Sequence, residues 1–377
     1  HIEANGGGKS VAVRFRKDGV LVHYLDIPAR FRGAVTSRLK IMSQLDIAER
    51  RKPQDGKIAF KRFGPSDVEL RIATIPTSNG LEDVVMRVLS AATAKPLDTL
   101  GLDSQSLEKV RGLIARPHGL LLVCGPTGSG KTTTLHSVLG ALNTSEKKIW
   151  TAEDPIEIAQ PGLRQVQVNP KIGWTFAAAL RSLMRADPDI IMVGEMRDAE
   201  TAKMGIEASL TGHLVLSTLH TNSAAESVIR LLDLGMDPFN FADALLGVLA
   251  QRLVRTLCTH CRTRLEPSAR EVTALAAEYC GDTGLDVQEV VKKWRQDKIT
   301  LYAAKGCKEC DRTGYRGRTA VWELMVADKA VKRLVQKRAP VEEIVEAARA
   351  GGMRTLKQDG IEKVLHGVTD MAQVRAL

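Results

Sequence analysis

Two kinds of hydrophobic pattern divide the chain. Over roughly the first quarter, short β-type runs alternate with helix-like spacing. Val11 to Phe15 and Val20 to Leu25 predict strands on either side of the turn pair Asp18-Gly19. Apolar positions from Phe31 to Leu45 recur with helical spacing. Ile58 to Phe60 and Val68 to Ile75 predict strands flanking the Gly64-Pro65 turn, and Leu81 to Leu89 returns to a helical period. Together these elements predict a small N-terminal α/β domain over residues 1–92. Ala91 to Gly101, with Lys95-Pro96 near the middle, lacks an apolar period and predicts a linker, placed at 93–102.

Beyond that linker the pattern changes. Leu120 to Cys124, Ile149 to Ala152, Ile190 to Val193 and Leu214 to Thr218 are short runs with almost no polar alternation, as strands buried on both faces require. Helical segments separate them, so a mostly parallel sheet with crossover helices is expected over 103–377. The last third departs again, with a cysteine-containing insertion placed at 255–316. Helical patterns follow near Lys329 to Lys337, Val341 to Arg349 and Ile361 to Leu365. The expected class is α/β.

Composition narrows the function classes. At 377 residues and 44% hydrophobic the chain can bury several cores, which excludes disorder for most of it. The longest apolar stretch, Phe239 to Val254, is interrupted by Asp243, Gln251 and Arg252 and falls short of the ~18 residues of a membrane span. A formal charge of +10 favours an anionic partner. A basic surface that serves only nucleotide phosphates accounts for it as well as a dedicated membrane or nucleic-acid face. No aromatic-basic interleaving suited to single strands is present. The chain starts at His1 with neither an initiator Met nor a secretory signal, so truncation upstream is expected.

The chemistry is concentrated in a few motifs. Gly125-Pro126-Thr127-Gly128-Ser129-Gly130-Lys131-Thr132 lies between a predicted strand and a predicted helix, the context of a Walker A loop. Glycines let backbone N–H groups turn toward phosphates, and the helix N-terminus adds a favourable dipole. Lys131 can reach the β- and γ-phosphates and Thr132 can ligate magnesium. Glu195 follows the apolar strand Ile190 to Val193 and is expected to orient or deprotonate the attacking water; the plainer reading is a carboxylate capping the next helix. Glu153, in Glu153-Asp154-Pro155-Ile156-Glu157, either holds magnesium or its waters, or belongs to a loop that opens a helix. His213 and His220 bracket the strand from Leu214 to Leu219.

Cys258-Thr-His-Cys261 and Cys307-Lys-Glu-Cys310 form two CxxC pairs able to present four thiolates to one tetrahedral zinc. Disulfides are the alternative, disfavoured in a reducing cytosol. Four sulfur ligands leave no open position, so such a zinc is structural. Cys124 and Cys280 are left over as packing residues, and His260 is not needed as a ligand.

As a set these motifs resemble the secretion ATPase superfamily of type II secretion and type IV pilus assembly ATPases. Gly125 to Thr132 resembles its Walker A, Thr151 to Glu157 its Asp box, Asp189 to Asp198 its atypical Walker B, and Thr211 to His220 its His box. The resemblance implies a PAS-like N-terminal domain, a RecA-like ATPase domain with a zinc-binding insertion, and a homohexamer binding ATP or ADP with Mg2+. It also implies that Thr133 and His220 join the nucleotide contacts, that Glu153 and Glu195 serve the reaction, and that Arg71, with Lys57 as a second candidate, closes onto the phosphates. Further implications are a cytoplasmic location at the inner face of the bacterial inner membrane, an inner-membrane platform protein as partner, and no nucleic acid. His1-Ile2-Glu3 resembles the end of a longer family motif. The four cysteines resemble extension and secretion motors and demote a retraction motor. The competing classes are a nucleic-acid translocase with a RecA-like core, which predicts salt-sensitive stimulation by DNA, and a nucleotide-gated scaffold without turnover.

Overall fold

A computed structural model describes residues 1–4, 8–90, 93–281 and 283–377. Ala91 and Ala92, at the head of the expected linker, lie outside the described residues. The chain divides into two compact units, His1–Thr93 and Ala94–Leu377.

The first unit is an antiparallel sheet with a helix on one face. Its elements are β1 (Ile2–Ala4), β2 (Ser10–Lys17), β3 (Val20–Pro28), α1 (Arg32–Met42), β4 (Gln54–Ala59), β5 (Val68–Pro76) and β6 (Glu82–Ser90), in the order β3-β2-β1-β6-β5-β4. Asp18 and Gly19 take positive φ at the β2–β3 hairpin, as the turn pair predicts. Val11, Ile58, Ile72 and Val84 form the core against Val35, Leu39 and Met42 of α1.

One element corrects the sequence reading. Leu81 to Leu89, expected as a helix, is β6, paired antiparallel with β5 from Pro76↔Glu82 to Val68↔Ser90. The apolar residues happen to fit a helical spacing, but three of them are β-branched valines, which suit a pleated sheet. The alternate positions Glu82 and Val84 are buried. Glu82 meets the buried Lys40 of α1 at 2.5 Å, and Lys40 also donates to the Glu49 carbonyl. A paired charge thus sits where a helical reading would expect solvent.

The second unit begins with α2 (Ser104–Ile114), β7 (Gly119–Cys124), α3 (Lys131–Leu142), β8 (Ile149–Glu153), β9 (Arg164–Gln167), α4 (Phe176–Leu183), β10 (Ile190–Val193), α5 (Ala199–Leu210) and β11 (Leu214–Leu219). Next come α6 (Ala224–Asp233), α7 (Pro238–Ala244), β12 (Leu245–Leu257), β13 (Thr263–Leu265), α8 (Ala269–Cys280), α9 (Val287–Gln296) and β14 (Leu301–Ala303). It ends with β15 (Tyr315–Val326), α10 (Lys329–Gln336), α11 (Val341–Ala350), α12 (Leu356–Leu365) and α13 (Met371–Val374). The main sheet has the order β15-β12-β7-β11-β10-β8-β9, parallel throughout except for β15.

Residues on opposite faces of β7 explain the apolar runs. Leu120 and Leu122 enter a core with α4, α5, α6 and α7, whereas Leu121 and Val123 enter another with Val110 of α2 and Leu135, Val138 and Leu139 of α3. Truncating a fully buried leucine here is expected to destabilise by about 2–5 kcal/mol. Leu97 is buried in the second of these cores, so the segment expected as a linker is already packed at that point. The stretch Phe239 to Val254 splits into nearly all of α7 and most of β12. In the insertion, β13 and β14 form a short ribbon, while Val272, Val291 and Trp294 of α8 and α9 pack with Ile361 and Val364 of α12.

Candidate functional site

The three central strands β7, β11 and β10 end side by side, and each delivers one part of the site. After β7 the chain turns through Gly125, Gly128 and Gly130, all at positive φ, and enters α3 at Lys131. Space matters as much as φ at Gly125: a Cβ there would stand 2.5 Å from the Gln251 carbonyl oxygen. Lys131 is buried and folds back over the loop, its Nζ donating to the Gly125 carbonyl at 2.8 Å and to the Pro126 carbonyl at 3.1 Å. Burial lowers its pKa; Cys124 and Glu195 act in the opposite direction, and Arg252 adds to the lowering. Pro126, Thr127 and Gly128 are exposed, and Thr132 and Thr133 stand half-buried in the first turn of α3. The loop therefore presents glycine N–H groups, a helix N-terminus and an ammonium at one place, an arrangement that accepts phosphate oxygens.

Glu195 follows β10. Its Oε2 lies 2.6 Å from Arg197 Nε and 3.3 Å from His220 Nε2, the latter just beyond the end of β11. The helix-capping alternative belongs instead to Asp198, whose carboxylate accepts from the Thr201 N–H and hydroxyl at the start of α5. His213 has a local role, donating through Nδ1 to the Ala208 carbonyl at 2.9 Å.

Glu153 departs from expectation. Its carboxylate is turned into the protein: Oε1 accepts from Thr151 Oγ1 at 2.6 Å and Gln165 Nε2 at 2.9 Å, and Oε2 faces His136 Nε2 at 3.0 Å. Both Glu153 and His136 are buried. In this position the carboxylate ties β8 to α3.

The four cysteines converge at the other end of β12. Cys258 to Cys307, Cys261 to Cys310 and Cys307 to Cys310 are separated by 3.9, 3.8 and 3.7 Å between sulfurs. A regular tetrahedron with zinc–sulfur bonds near 2.3 Å has edges of about 3.8 Å, so the spacing fits one metal and no disulfide. Burial raises the Cys310 thiol, but N–H groups of Cys307 and Gly314 aimed at its sulfur more than offset this and hold it below its ordinary value. The cluster is positioned to hold a metal. Cys124 and Cys280 are buried and apart from it.

Comparison with known proteins identifies the family. The family described as "Type II/IV secretion system protein" matches residues 1–376. The chain belongs to this family. The Type II secretion system ATPase E of Vibrio cholerae is 44% identical over 97% of this chain, which spans 69% of that protein. The Type IV pilus assembly ATPase PilB of Thermus thermophilus is 45% identical over all of it, although the chain spans only 40% of that longer protein. Among solved structures, the pilus retraction motor PilT with bound ADP shares the fold, with a TM-score of 0.64 and 24% identity, over 99% of this chain and 91% of that one.

Two further features of this secretion-family chain complete the inventory. In the first unit, Lys57, Arg71 and Arg87 stand directly opposite one another across β4, β5 and β6, with Lys57 also 3.1 Å from Glu69. Like charges in cross-strand register oppose pairing and suit an anion. In the second unit, Gln251 and Arg252 of β12 border the phosphate loop, which the sequence reading did not foresee. Gln251 is buried against the loop, and Arg252 donates to Asn222 Oδ1 at 2.9 Å. The signal was a polar pair interrupting the apolar run from Leu245 to Val254.

Proposed function

We infer that this chain is the ATP-hydrolysing motor of a type II secretion or type IV pilus assembly machine, with Mg-ATP as substrate at the loop Gly125 to Thr132. The observation that carries this is the meeting, at the ends of neighbouring strands, of a phosphate loop with a buried Lys131 and a carboxylate, Glu195, braced by Arg197 and His220. In this reading Lys131 and the loop N–H groups bind the β- and γ-phosphates, and the Thr132 hydroxyl would hold magnesium, which supplies charge neutralisation. Glu195 positions the water, with Arg197 and His220 fixing its orientation. His220 and Thr133 border the nucleotide. Zinc is the metal that fits the four cysteines, in a structural role. The motor works as a homohexamer against a membrane-embedded platform protein on the cytoplasmic side, and no helix among the described residues is long and apolar enough to cross a membrane.

Steady-state ATPase activity with and without DNA, run in parallel for Glu195→Gln, tests the reading. Magnesium-dependent hydrolysis reduced about 100-fold or more in the variant, with ADP binding retained and no DNA response, is expected. Strong stimulation by DNA that fades with salt favours the translocase. Undiminished turnover in the variant removes Glu195 from the mechanism.

A further inference from the structure

Strand β7 ends at Cys124, opposite Ala250 of β12, and the phosphate loop starts at the next residue. Gln251 is therefore the first β12 residue without a β7 partner, and it lies alongside the loop. Only 1% of it is exposed. Its side chain makes two contacts with the loop and helix: Nε2 donates to the Ser129 carbonyl at 2.5 Å, and Oε1 accepts from Thr134 Oγ1 at 2.8 Å. A Cβ on Gly130 would stand 3.1 Å from the same Nε2. The amide thus bridges the loop and the first turn of α3 from behind.

We propose that Gln251 is a positioning residue for phosphate binding, setting the peptide between Ser129 and Gly130 so that the Gly130 N–H faces the phosphates. The reason is the planarity of the trans peptide. Its C=O and N–H point in opposite directions, so fixing the Ser129 oxygen on β12 aims the Gly130 N–H away from β12. There it joins the N–H groups of the first helical turn, which have no intrahelical acceptor. Without the Gln251 donor the Ser129 carbonyl is buried and unpaired, and the peptide gains by turning over. This rests on the reading that Gly125 to Thr132 bind phosphates.

Three substitutions separate the two claims: Lys131→Ala, Gln251→Glu and Gln251→Met. Gln251→Glu keeps the acceptor for Thr134 and replaces the donor with an oxygen. Gln251→Met is of similar length, apolar and uncharged, so it suits a buried position and decides the matter if the acidic variant does not fold. Affinity is measured by calorimetry for Mg-ADP and for pyrophosphate, with steady-state kinetics and thermal melting on the same preparations. Both Gln251 variants are expected to weaken Mg-ADP and pyrophosphate by the same factor, about tenfold. The KM for ATP rises by that factor while kcat stays within about twofold, because a binding contact shared by ground and transition states has been lost. A purely structural role lowers the melting temperature and leaves KM in place. Loss of affinity in Lys131→Ala with unchanged affinity and KM in both Gln251 variants overturns the proposal and leaves the phosphate reading standing. Full affinity in Lys131→Ala overturns both.

Discussion

The phosphate loop and the four-cysteine cluster both border β12, yet they are held by opposite means. The loop is finished by the protein: Lys131 occupies the Gly125 and Pro126 carbonyls, Gln251 holds Ser129, and glycines remove the side chains that would collide. The cluster is a set of four thiols at contact distance, whose mutual hydrogen bonds are weak and whose spacing is that of ligands to one metal. On the proposed reading one site is preorganised for the ligand it exchanges, and the other would take its shape from a metal.

The largest effect that follows is on the cluster. Replacing Cys258 and Cys310 by Ser, or stripping the wild type with a chelator, should abolish binding of one metal per chain and expose residues 255–316 to protease. In small zinc domains the metal supplies about 10 kcal/mol or more of apparent folding free energy. Mg-ADP affinity should stay within about threefold, since the loop keeps its own hydrogen bonds. An insertion that remains protected without metal would break the comparison.

The reverse experiment is Lys131→Ala. It should reduce Mg-ADP affinity by about 100-fold while barely changing the melting temperature, because burial makes the charged amine unfavourable in the folded state. A lysine with a depressed folded pKa binds fewer protons folded than unfolded, so its contribution to stability rises with pH through the interval below 10.5. The wild type should therefore gain on the variant as pH increases toward that value. A wild type that instead loses stability relative to the variant as pH rises would show that Lys131 is stabilised as a cation.

A smaller change is expected at Glu153. Glu153→Ala should lower stability by about 1–3 kcal/mol, by removing the acceptor of the Thr151 hydroxyl, of His136 Nε2 and of one Gln165 N–H, with nucleotide affinity kept. Reduced magnesium-dependent turnover at an unchanged melting temperature would assign this carboxylate to the metal. The smallest effect belongs to Cys280→Ser, buried outside the cluster: metal content unchanged and stability lowered by about 1 kcal/mol in chemical denaturation.

The parts legible in the sequence are those in which local pattern and tertiary context agree. Parallel strands buried on both faces read as Leu120 to Cys124 or Ile190 to Val193, because no face of such a strand is wet. The glycine loop was readable because its conformation excludes other residues. Leu81 to Leu89 was misread since sheet pairing, a long-range event, overrode a helical spacing that Val84, Val85 and Val88 satisfy by accident. Glu153 illustrates a different limit: the motif locates the carboxylate on the chain but not the direction in which it turns, which His136 and Gln165 decide from elsewhere. Gln251 carries no motif at all, and its role becomes visible only when β12 is laid beside β7.

Past the end of β7, β12 continues from Gln251 to Leu257 with β15 as its ladder partner, a ribbon of about 20 Å at the usual rise per residue. Its single irregularity in that ladder lies between Arg255 and Leu257, next to Cys258. A bulge bends its strand locally, whereas the pairing from Gly247 to Arg255 keeps one register throughout. One continuous strand therefore runs from the residue that grips Ser129 to the first of the four cysteines, with a single break in its register beside the cluster.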